Sequence, residues 1–160
     1  MEHKTIEIHY KLLQNASELT ADEADLLAAA LAATNQAYAP FSQFRVGCAV
    51  LLEDGSIHIG NNQENKAFPS GTCAERTALF HIGAMGKGDQ IRKIAIRARS
   101  ERADITDPVM PCGACRQVML EYESMGKVPF VVLTQGKSGR IIRMEGVRQS
   151  LLPLSFDIDF

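Results

Sequence analysis

Apolar and polar residues alternate near the start of the chain and recur at helical spacing further on. The alternation over residues 5–12 predicts a half-buried first strand. Thr20, followed three residues later by Glu23, is typical of a capping box at a helix N-terminus. An alanine- and leucine-rich helix is predicted to follow as far as about Ala37.

The rest of the chain alternates segments with strand and helix character. Strands are predicted at 44–52, 56–60, 91–98, 128–134 and 140–144, and helices at about 73–84, 112–125 and 147–152. This alternation predicts an α/β fold, a three-layer α/β/α sandwich around a mixed sheet of roughly five strands. Irregular loops at 61–72 and 101–111 precede two of the predicted helices.

Length and composition favour one domain over residues 1–160, with 1–19 as an N-terminal extension. The chain has 160 residues, of which 46% are hydrophobic, enough to build one well-buried core. The first residues mix charged and apolar side chains and do not resemble an export leader. Apolar runs are far shorter than the roughly 20 residues that span a bilayer. We therefore expect a soluble, cytoplasmic protein without a membrane partner.

The charge argues against a nucleic-acid partner. The formal net charge is −2 and the pI is near 6.1, whereas binding a phosphate backbone requires a basic surface. The densest cationic stretch is interpreted as the solvated face of a strand, because its charges are interspersed with Ile and Ala. Its members are Arg92, Lys93, Arg97, Arg99 and Arg102.

Three of the four cysteines stand where predicted helices begin. Cys112 and Cys115 are three residues apart, so they lie on one helix face, and Cys73 opens a second helix. Partial positive charge at a helix N-terminus favours the thiolate, the form that binds metals. Cys48 lies in an apolar run and is expected in the core. A catalytic zinc site, a structural zinc site and a redox dithiol all remain possible from the cysteines alone.

The missing fourth ligand favours a catalytic zinc site. Structural zinc ions are held by four protein ligands, whereas catalytic ones keep one position for water. None of the four histidines stands at metal-binding spacing from a cysteine. Arg76 is three residues after Cys73, so it can offset the negative charge of three thiolates.

Several motifs give the chain a resemblance to a known family. Cys73-Ala74-Glu75 and Pro111-Cys112-Gly113-Ala114-Cys115 follow the pattern of zinc deaminases. From about Ala37 to Phe156 the chain resembles the cytidine deaminase family. The matching stretches are 38–47, 62–65, 73–79, 111–118, 151–153 and Phe156.

The resemblance implies a cytidine deaminase-like fold and a hydrolytic reaction. One zinc ion per chain would be held by Cys73, Cys112 and Cys115, and hydroxide formed there would attack C4 of cytosine. Glu75 would move protons from water to the ring nitrogen and the departing ammonia. Spacing alone does not imply this, since residues two apart on a helix point to different sides. The expected function is conversion of cytidine or deoxycytidine to the uracil nucleoside in pyrimidine salvage.

The resemblance also assigns contacts to the nucleoside. Asn62 and Glu64 would bind the ribose hydroxyls, and Phe44 would lie against the pyrimidine. The main-chain N–H of Ala74 would donate to the pyrimidine carbonyl oxygen.

The family's small members imply a homotetramer whose sites are completed by neighbouring subunits. Phe156 matches an aromatic residue delivered by a neighbour, and Phe68 stands where many relatives have tyrosine. Phe41 likewise replaces a common tyrosine. Three alternatives stay open: a deaminase of another aminopyrimidine or an antibiotic nucleoside of the blasticidin S type, a nucleic-acid deaminase, and a non-catalytic zinc-stabilised interaction domain.

Overall fold

The computed structural model describes residues 1–157, which form six strands and three α-helices. Within this part of the chain, no helix has both the length and the apolar character needed to cross a membrane. The strands are β1 (Lys11–Leu13), β2 (Phe44–Leu52), β3 (Ile57–Asn61), β4 (Ile91–Ser100), β5 (Val131–Gln135) and β6 (Ile141–Glu145). The helices are α1 (Ala21–Ala33), α2 (Ala74–Ala84) and α3 (Gly113–Gly126), and a π-helical turn spans Val147–Leu151.

The six strands form one mixed sheet in the order β1-β6-β5-β4-β2-β3. β4 and β5 are parallel, and every other neighbouring pair is antiparallel. The connection between the parallel strands passes through α3, since parallel neighbours need a crossover. The predicted mixed sheet is confirmed, with one correction. It has six strands instead of about five, because the short β1 adds to the edge of β6.

Two hydrophobic clusters on opposite faces of the sheet confirm the three-layer architecture. On one face, Leu26, Leu27 and Ala30 of α1 pack against Ala49 and Ala95 of the central strands. On the other face, α2 and α3 pack against the neighbouring positions of the same strands. Successive side chains in a strand point to opposite faces, so β2 and β4 contribute to both cores. This explains their nearly continuous apolar character in the sequence.

Gly60 in β3 lets α2 approach the sheet closely. A Cβ atom at this position would lie 2.6 Å from the carbonyl oxygen of Ala74 and 2.5 Å from the amide nitrogen of Ala78. Any larger residue would therefore push the first turn of α2 outward. Because that turn follows Cys73 and contains Glu75, Gly60 sets the position of both residues.

The strand predicted for residues 5–12 is largely wrong. Only Lys11–Leu13 pair with β6, and residues 5–10 have no regular secondary structure. The apolar side chains of the alternating pattern, at Ile6, Ile8 and Tyr10, are about half exposed. Alternation specifies a strand only where one face can be buried, and these side chains stay about half exposed. Residues 158–160, included in the predicted domain, lie outside the described part of the chain.

The interpretation of the cationic stretch as one solvated strand face is also wrong. Arg92 and Lys93 are adjacent in β4 and therefore point to opposite faces, and both are only partly exposed. Arg97 is half-buried beneath the α1 layer. The prediction failed because β4 lies between β5 and β2, where both faces of the sheet are covered.

Glu23 links α1 to two strands of the sheet. The predicted capping box is present: the Thr20 amide donates to Glu23 Oε2 at 3.3 Å. Arg143 of β6 and Lys93 of β4 contact Glu23 Oε1 at 3.1 and 3.3 Å. Burial by itself raises the pKa of Glu23, but these partners outweigh it and hold the pKa below the ordinary value of 4.5.

Replacing Glu23 with glutamine is expected to lower the free energy of unfolding at pH 7 by about 2 kcal/mol, since hydrogen bonds to a buried charge are lost. A carboxyl group with a lowered pKa stabilises the fold above its unfolded pKa, and this contribution disappears as pH falls through the folded pKa. Urea unfolding at pH 7 and at pH 3 should show the difference between the two proteins shrink with acidity. Asp22→Asn, which alters an exposed neighbour, should change stability by less than about 0.5 kcal/mol. An equal loss in both variants would contradict the assignment.

Candidate active site

Three cysteine sulfurs meet where the N-termini of α2 and α3 lie side by side. Cys73 is the N-cap of α2, Cys112 is the N-cap of α3, and Cys115 lies in the first turn of α3. The sulfur of Cys112 is 3.9 Å from that of Cys73 and 3.5 Å from that of Cys115. All three sulfurs lie within 4.8 Å of one another. The structure therefore brings together the three predicted ligands.

The spacing of the sulfurs suits a zinc ion. Zinc–sulfur bonds of about 2.3 Å in tetrahedral geometry place two sulfurs about 3.8 Å apart, close to the observed separations. Within residues 1–157, no histidine, aspartate, glutamate or further cysteine joins the group. Three protein ligands leave a coordination position for water or substrate, which is typical of catalytic zinc.

Without a metal, the three thiols would share their protons unequally. A hydrogen bond with Cys115 is the main cause that lowers the pKa of Cys73 to about 5, and Arg76 and Cys112 add to it. The same bond, together with burial, raises the pKa of Cys115, which holds the shared proton. A bound zinc ion would replace that proton and keep all three sulfurs as thiolates.

Arg76 places a positive charge beside the cysteine cluster. Its Nη2 atom lies 3.7 Å from the sulfur of Cys73. Contact with Cys73 is also the main cause that raises the pKa of the guanidinium. The side chain thus lies where it can offset part of the charge of three thiolates, as predicted from its spacing.

Glu75 lies in the same cavity as Cys73, although the two residues are two apart in sequence. Cys73 has an extended backbone, with φ −76° and ψ 156°, and the regular helix begins only at Ala74. The helical rotation of about 100° per residue therefore does not separate the two side chains. Glu75 is 5% exposed. Burial is the main cause that raises its pKa, and the Cys73 thiolate adds to the effect.

A cavity of about 800 Å³ opens beside the cysteines, and most of the predicted site residues line it. This volume is typical of small-molecule sites. Aromatic and aliphatic side chains form one wall, and polar groups of the loop after β3 form another. The predicted residues in its wall are Phe44, Asn62, Glu64, Phe68, Cys73, Ala74, Glu75, Arg76 and Cys112.

Asn62 and Glu64 line the cavity and also brace its wall. The Asn62 amide accepts from Val46 N at 2.7 Å and donates to the Phe44 carbonyl at 2.9 Å. Glu64 Oε2 accepts from the amides of Phe41 and Ser42 at 2.8 and 3.3 Å. The carboxylate keeps its second oxygen for a ligand. These two residues therefore fix the segment that carries Phe44, a function that the sequence did not reveal.

The two aromatic residues predicted to act across subunits occupy different positions. Phe68 is 76% exposed at the mouth of the cavity, and its ring packs edge-on against Phe41 at a centroid distance of 6.1 Å. Phe156 is 70% exposed and is not part of the cavity wall. Its carbonyl oxygen accepts a hydrogen bond from Gln117 at 2.8 Å. Within a single chain, Phe156 therefore does not meet the other site residues.

Arg116 supports the ligand loop and was missed in the sequence. Its Nε donates to the carbonyl of Pro111 at 2.8 Å, next to Cys112, and Nη1 donates to the carbonyl of Leu151 at 3.1 Å. The side chain thereby ties the loop before α3 to the C-terminal turn. Its place in the Cys112–Arg116 motif was the available signal. Met110, which also lines the cavity, gave no signal because an apolar loop residue has no distinctive pattern.

Arg116→Ala is expected to lower zinc affinity by about tenfold, because side chains that hold metal ligands in position typically contribute 10–100-fold. Competition with a zinc-binding dye would measure this. Arg140→Ala is the matched control, since Arg140 pairs with Asp107 on the surface. Unchanged zinc affinity in Arg116→Ala would show that Arg116 does not hold the ligand loop in place.

Known proteins are similar to this chain in sequence and in fold. The family described as "Cytidine and deoxycytidylate deaminase zinc-binding region" matches residues 20–132. A cytidine deaminase of Sporosarcina psychrophila is 46% identical over 101 residues, covering 63% of this chain and 70% of that protein. One of Halalkalibacterium halodurans is 46% identical over 100 residues, covering 62% and 71%.

Solved structures agree with these relatives. Cytidine deaminase from Burkholderia pseudomallei superposes with a TM-score of 0.73 at 37% identity, covering 86% of this chain and 100% of that one. The fold and the three-cysteine site together define a zinc-binding deaminase. The chain belongs to the cytidine and deoxycytidylate deaminase family.

Proposed function

We propose that this protein is a hydrolase that deaminates cytidine and deoxycytidine to uridine and deoxyuridine, with one zinc ion per chain, and so acts in pyrimidine salvage. The observation that carries this proposal is the common cavity of the cysteine cluster and Glu75. Three sulfur ligands leave a coordination position, and a buried carboxyl group lies in the same cavity. A structural zinc site would require neither feature.

Zinc bound by the three thiolates would supply acidified water close to Glu75. In this proposal Glu75 accepts a proton from that water and donates protons to the ring nitrogen and to the departing amine. Its burial keeps the proton affinity of the carboxylate high, as a group that both accepts and donates protons requires. Arg76 limits the negative charge that the thiolates place beside this carboxylate.

The remaining cavity residues would bind the nucleoside. The Ala74 N–H lies at the N-terminus of α2, where its main-chain partner within the helix is missing, and would donate to the pyrimidine carbonyl oxygen. Phe44 would lie against the base, and Asn62 and Glu64 would bind the ribose hydroxyls. An ordinary nucleoside is favoured over a blasticidin S-type substrate because of this polar pair.

The test is turnover of cytidine, followed by ultraviolet absorbance on protein whose zinc content is measured in parallel. Deoxycytidine and blasticidin S are assayed beside it. Turnover of cytidine that a chelator abolishes and added zinc restores would support the proposal. If the protein binds one zinc ion per chain but turns over neither cytidine nor deoxycytidine, the proposed activity is refuted and the metal site stands.

We also propose that the chain is one cytidine deaminase-like domain that assembles as a homotetramer in the cytoplasm. Phe68 and Phe156 are large exposed aromatic side chains, which suits residues that complete a neighbouring site. Four unpaired cysteines suit a reducing compartment. Light scattering should give about four times the 17.5 kDa chain mass, and a monomer of full activity would refute the shared sites.

A further inference from the structure

A second cavity, of about 360 Å³, lies on the α1 face of the sheet, away from the cysteines. Arg97 and Arg99 follow Ala95 along β4 at even spacing, so their side chains share its face, which packs against α1. Leu31 of α1, Lys137 and residues 103–105 complete the wall. The cysteine cluster and Glu75 are on the α2 and α3 side of the sheet.

Among the described residues, Arg97 is a cation without a carboxylate partner. Its Nε atom is buried and has no hydrogen-bond partner, and its Nη1 atom donates to the neutral side chain of Gln135. Among residues 1–157, no carboxylate lies within 4.0 Å of this guanidinium. Burial lowers the pKa of Arg97. Partial burial of an uncompensated charge is unfavourable, and a bound anion would remove that cost.

The neighbouring cations leave a net positive charge in this cavity. Arg99 donates to the neutral side chain of Asn35 at 2.5 Å. Lys137 pairs with Asp104 at 2.6 Å, so its charge is balanced. Arg97 and Arg99 therefore contribute the two surplus charges.

The walls of the cavity are held by main-chain contacts. Lys137 N donates to the carbonyl of Ile105 at 2.9 Å, and Ser138 N donates to that of Thr106 at 3.1 Å. A Cβ atom on Gly136 would lie 2.1 Å from the Thr106 carbonyl oxygen. The segment that contains Thr106 and the turn that begins at Gly136 therefore approach each other too closely for any residue other than glycine. Main-chain hydrogen bonds therefore hold this part of the cavity wall in place.

We propose that this cavity binds a phosphate group, either inorganic phosphate or the phosphate of a small molecule such as a nucleotide. Guanidinium groups bind phosphate through paired, charge-assisted hydrogen bonds, and Arg97 and Arg99 both line this cavity. The volume lies at the lower end of the range for small-molecule sites. The site is independent of the proposed deamination, since it is on the opposite face of the sheet.

Titration of the zinc-loaded protein with inorganic phosphate at constant ionic strength, followed by calorimetry, tests the proposal. Saturable binding with a Kd on the order of 1 mM is expected. Arg97→Gln and Arg99→Gln should each weaken binding by about tenfold through loss of charge-assisted hydrogen bonds. Arg92→Gln is the matched control, because it removes the same charge from the other end of β4, where Arg92 pairs with Glu53. It should bind phosphate as the unaltered protein does.

Two further titrations distinguish the source of the anion and its location. Uridine monophosphate binding more tightly than inorganic phosphate, with the same dependence on Arg97, would identify a nucleotide ligand, and equal affinities would identify phosphate itself. The Cys112→Ala variant should still bind phosphate, because the cavity is remote from the zinc ligands. No saturable binding, binding unaffected by both Arg97→Gln and Arg99→Gln, or binding lost in Cys112→Ala would overturn the proposal.

Discussion

Replacing Glu75 with glutamine is expected to lower the rate of cytidine turnover by about two to four orders of magnitude, the range contributed by a positioned general acid–base group. Glutamine keeps the size and most of the polar contacts of glutamate but cannot carry the proton. Because Glu75 is not one of the clustered cysteine ligands, the variant should keep one zinc ion per chain. The measurement is kcat from ultraviolet absorbance, with zinc content determined on the same sample.

Glu121→Gln is the matched control for this experiment. Glu121 lies on the exposed side of α3, so the same glutamate-to-glutamine change is made there away from the cavity. The Glu121→Gln variant should keep normal turnover and zinc content. If Glu75→Gln retained near-normal kcat with full zinc, the proton transfer assigned to Glu75 would be wrong. Loss of zinc together with activity would instead indicate that the carboxylate supports the metal site.

Replacing Cys112 with alanine is expected to reduce zinc affinity by more than about 100-fold, since loss of a direct ligand should exceed the loss of a residue that only holds a ligand in position. Activity should then fall below detection at ordinary zinc concentrations. Addition of zinc should raise the melting temperature of the unaltered, zinc-stripped protein but not that of the variant, because only the former binds the ion tightly.

Cys48→Ala provides the corresponding control. Cys48 is fully buried in the core on the same side of the sheet but does not belong to the three-sulfur cluster. Its replacement removes a thiol and should cost about 1 kcal/mol of stability through the small cavity it leaves, with zinc bound at full stoichiometry. Full zinc occupancy in Cys112→Ala, or zinc loss in Cys48→Ala, would refute the ligand assignment.

Local signals in the sequence predicted most of the elements that carry the site. These signals are the capping box at Thr20 and Glu23, the apolar run of β2, and the cysteines at the N-termini of α2 and α3. Each depends only on residues close by in the sequence. The helices consequently begin within about a residue of the predicted positions, with Cys73 and Cys112 as N-caps. The meeting of these two helix ends, by contrast, was implied only by the family resemblance and not by any local signal.

Predictions failed where burial depends on elements distant in the chain. Residues 5–10 alternate like a strand, but they form no regular structure and their apolar side chains stay about half exposed. Arg97 resembled a surface cation, yet α1 and the loop at residues 103–105 enclose it. The sequence of a short segment does not show which distant residues will pack over that segment.

The chemistry available to this protein can be recognised in its sequence: three cysteines at predicted helix N-termini, an arginine one turn beyond Cys73, and a family resemblance that singles out Glu75. How these groups meet depends on the packing of distant segments. The crossover through α3 brings Cys112 and Cys115 to Cys73, and Gly60 allows the first turn of α2 to lie against the sheet. Folding likewise half-buries Arg97 with no carboxylate partner among residues 1–157. Side-chain chemistry is local, whereas proximity, burial and electrostatic surroundings are set by packing between segments far apart in the chain.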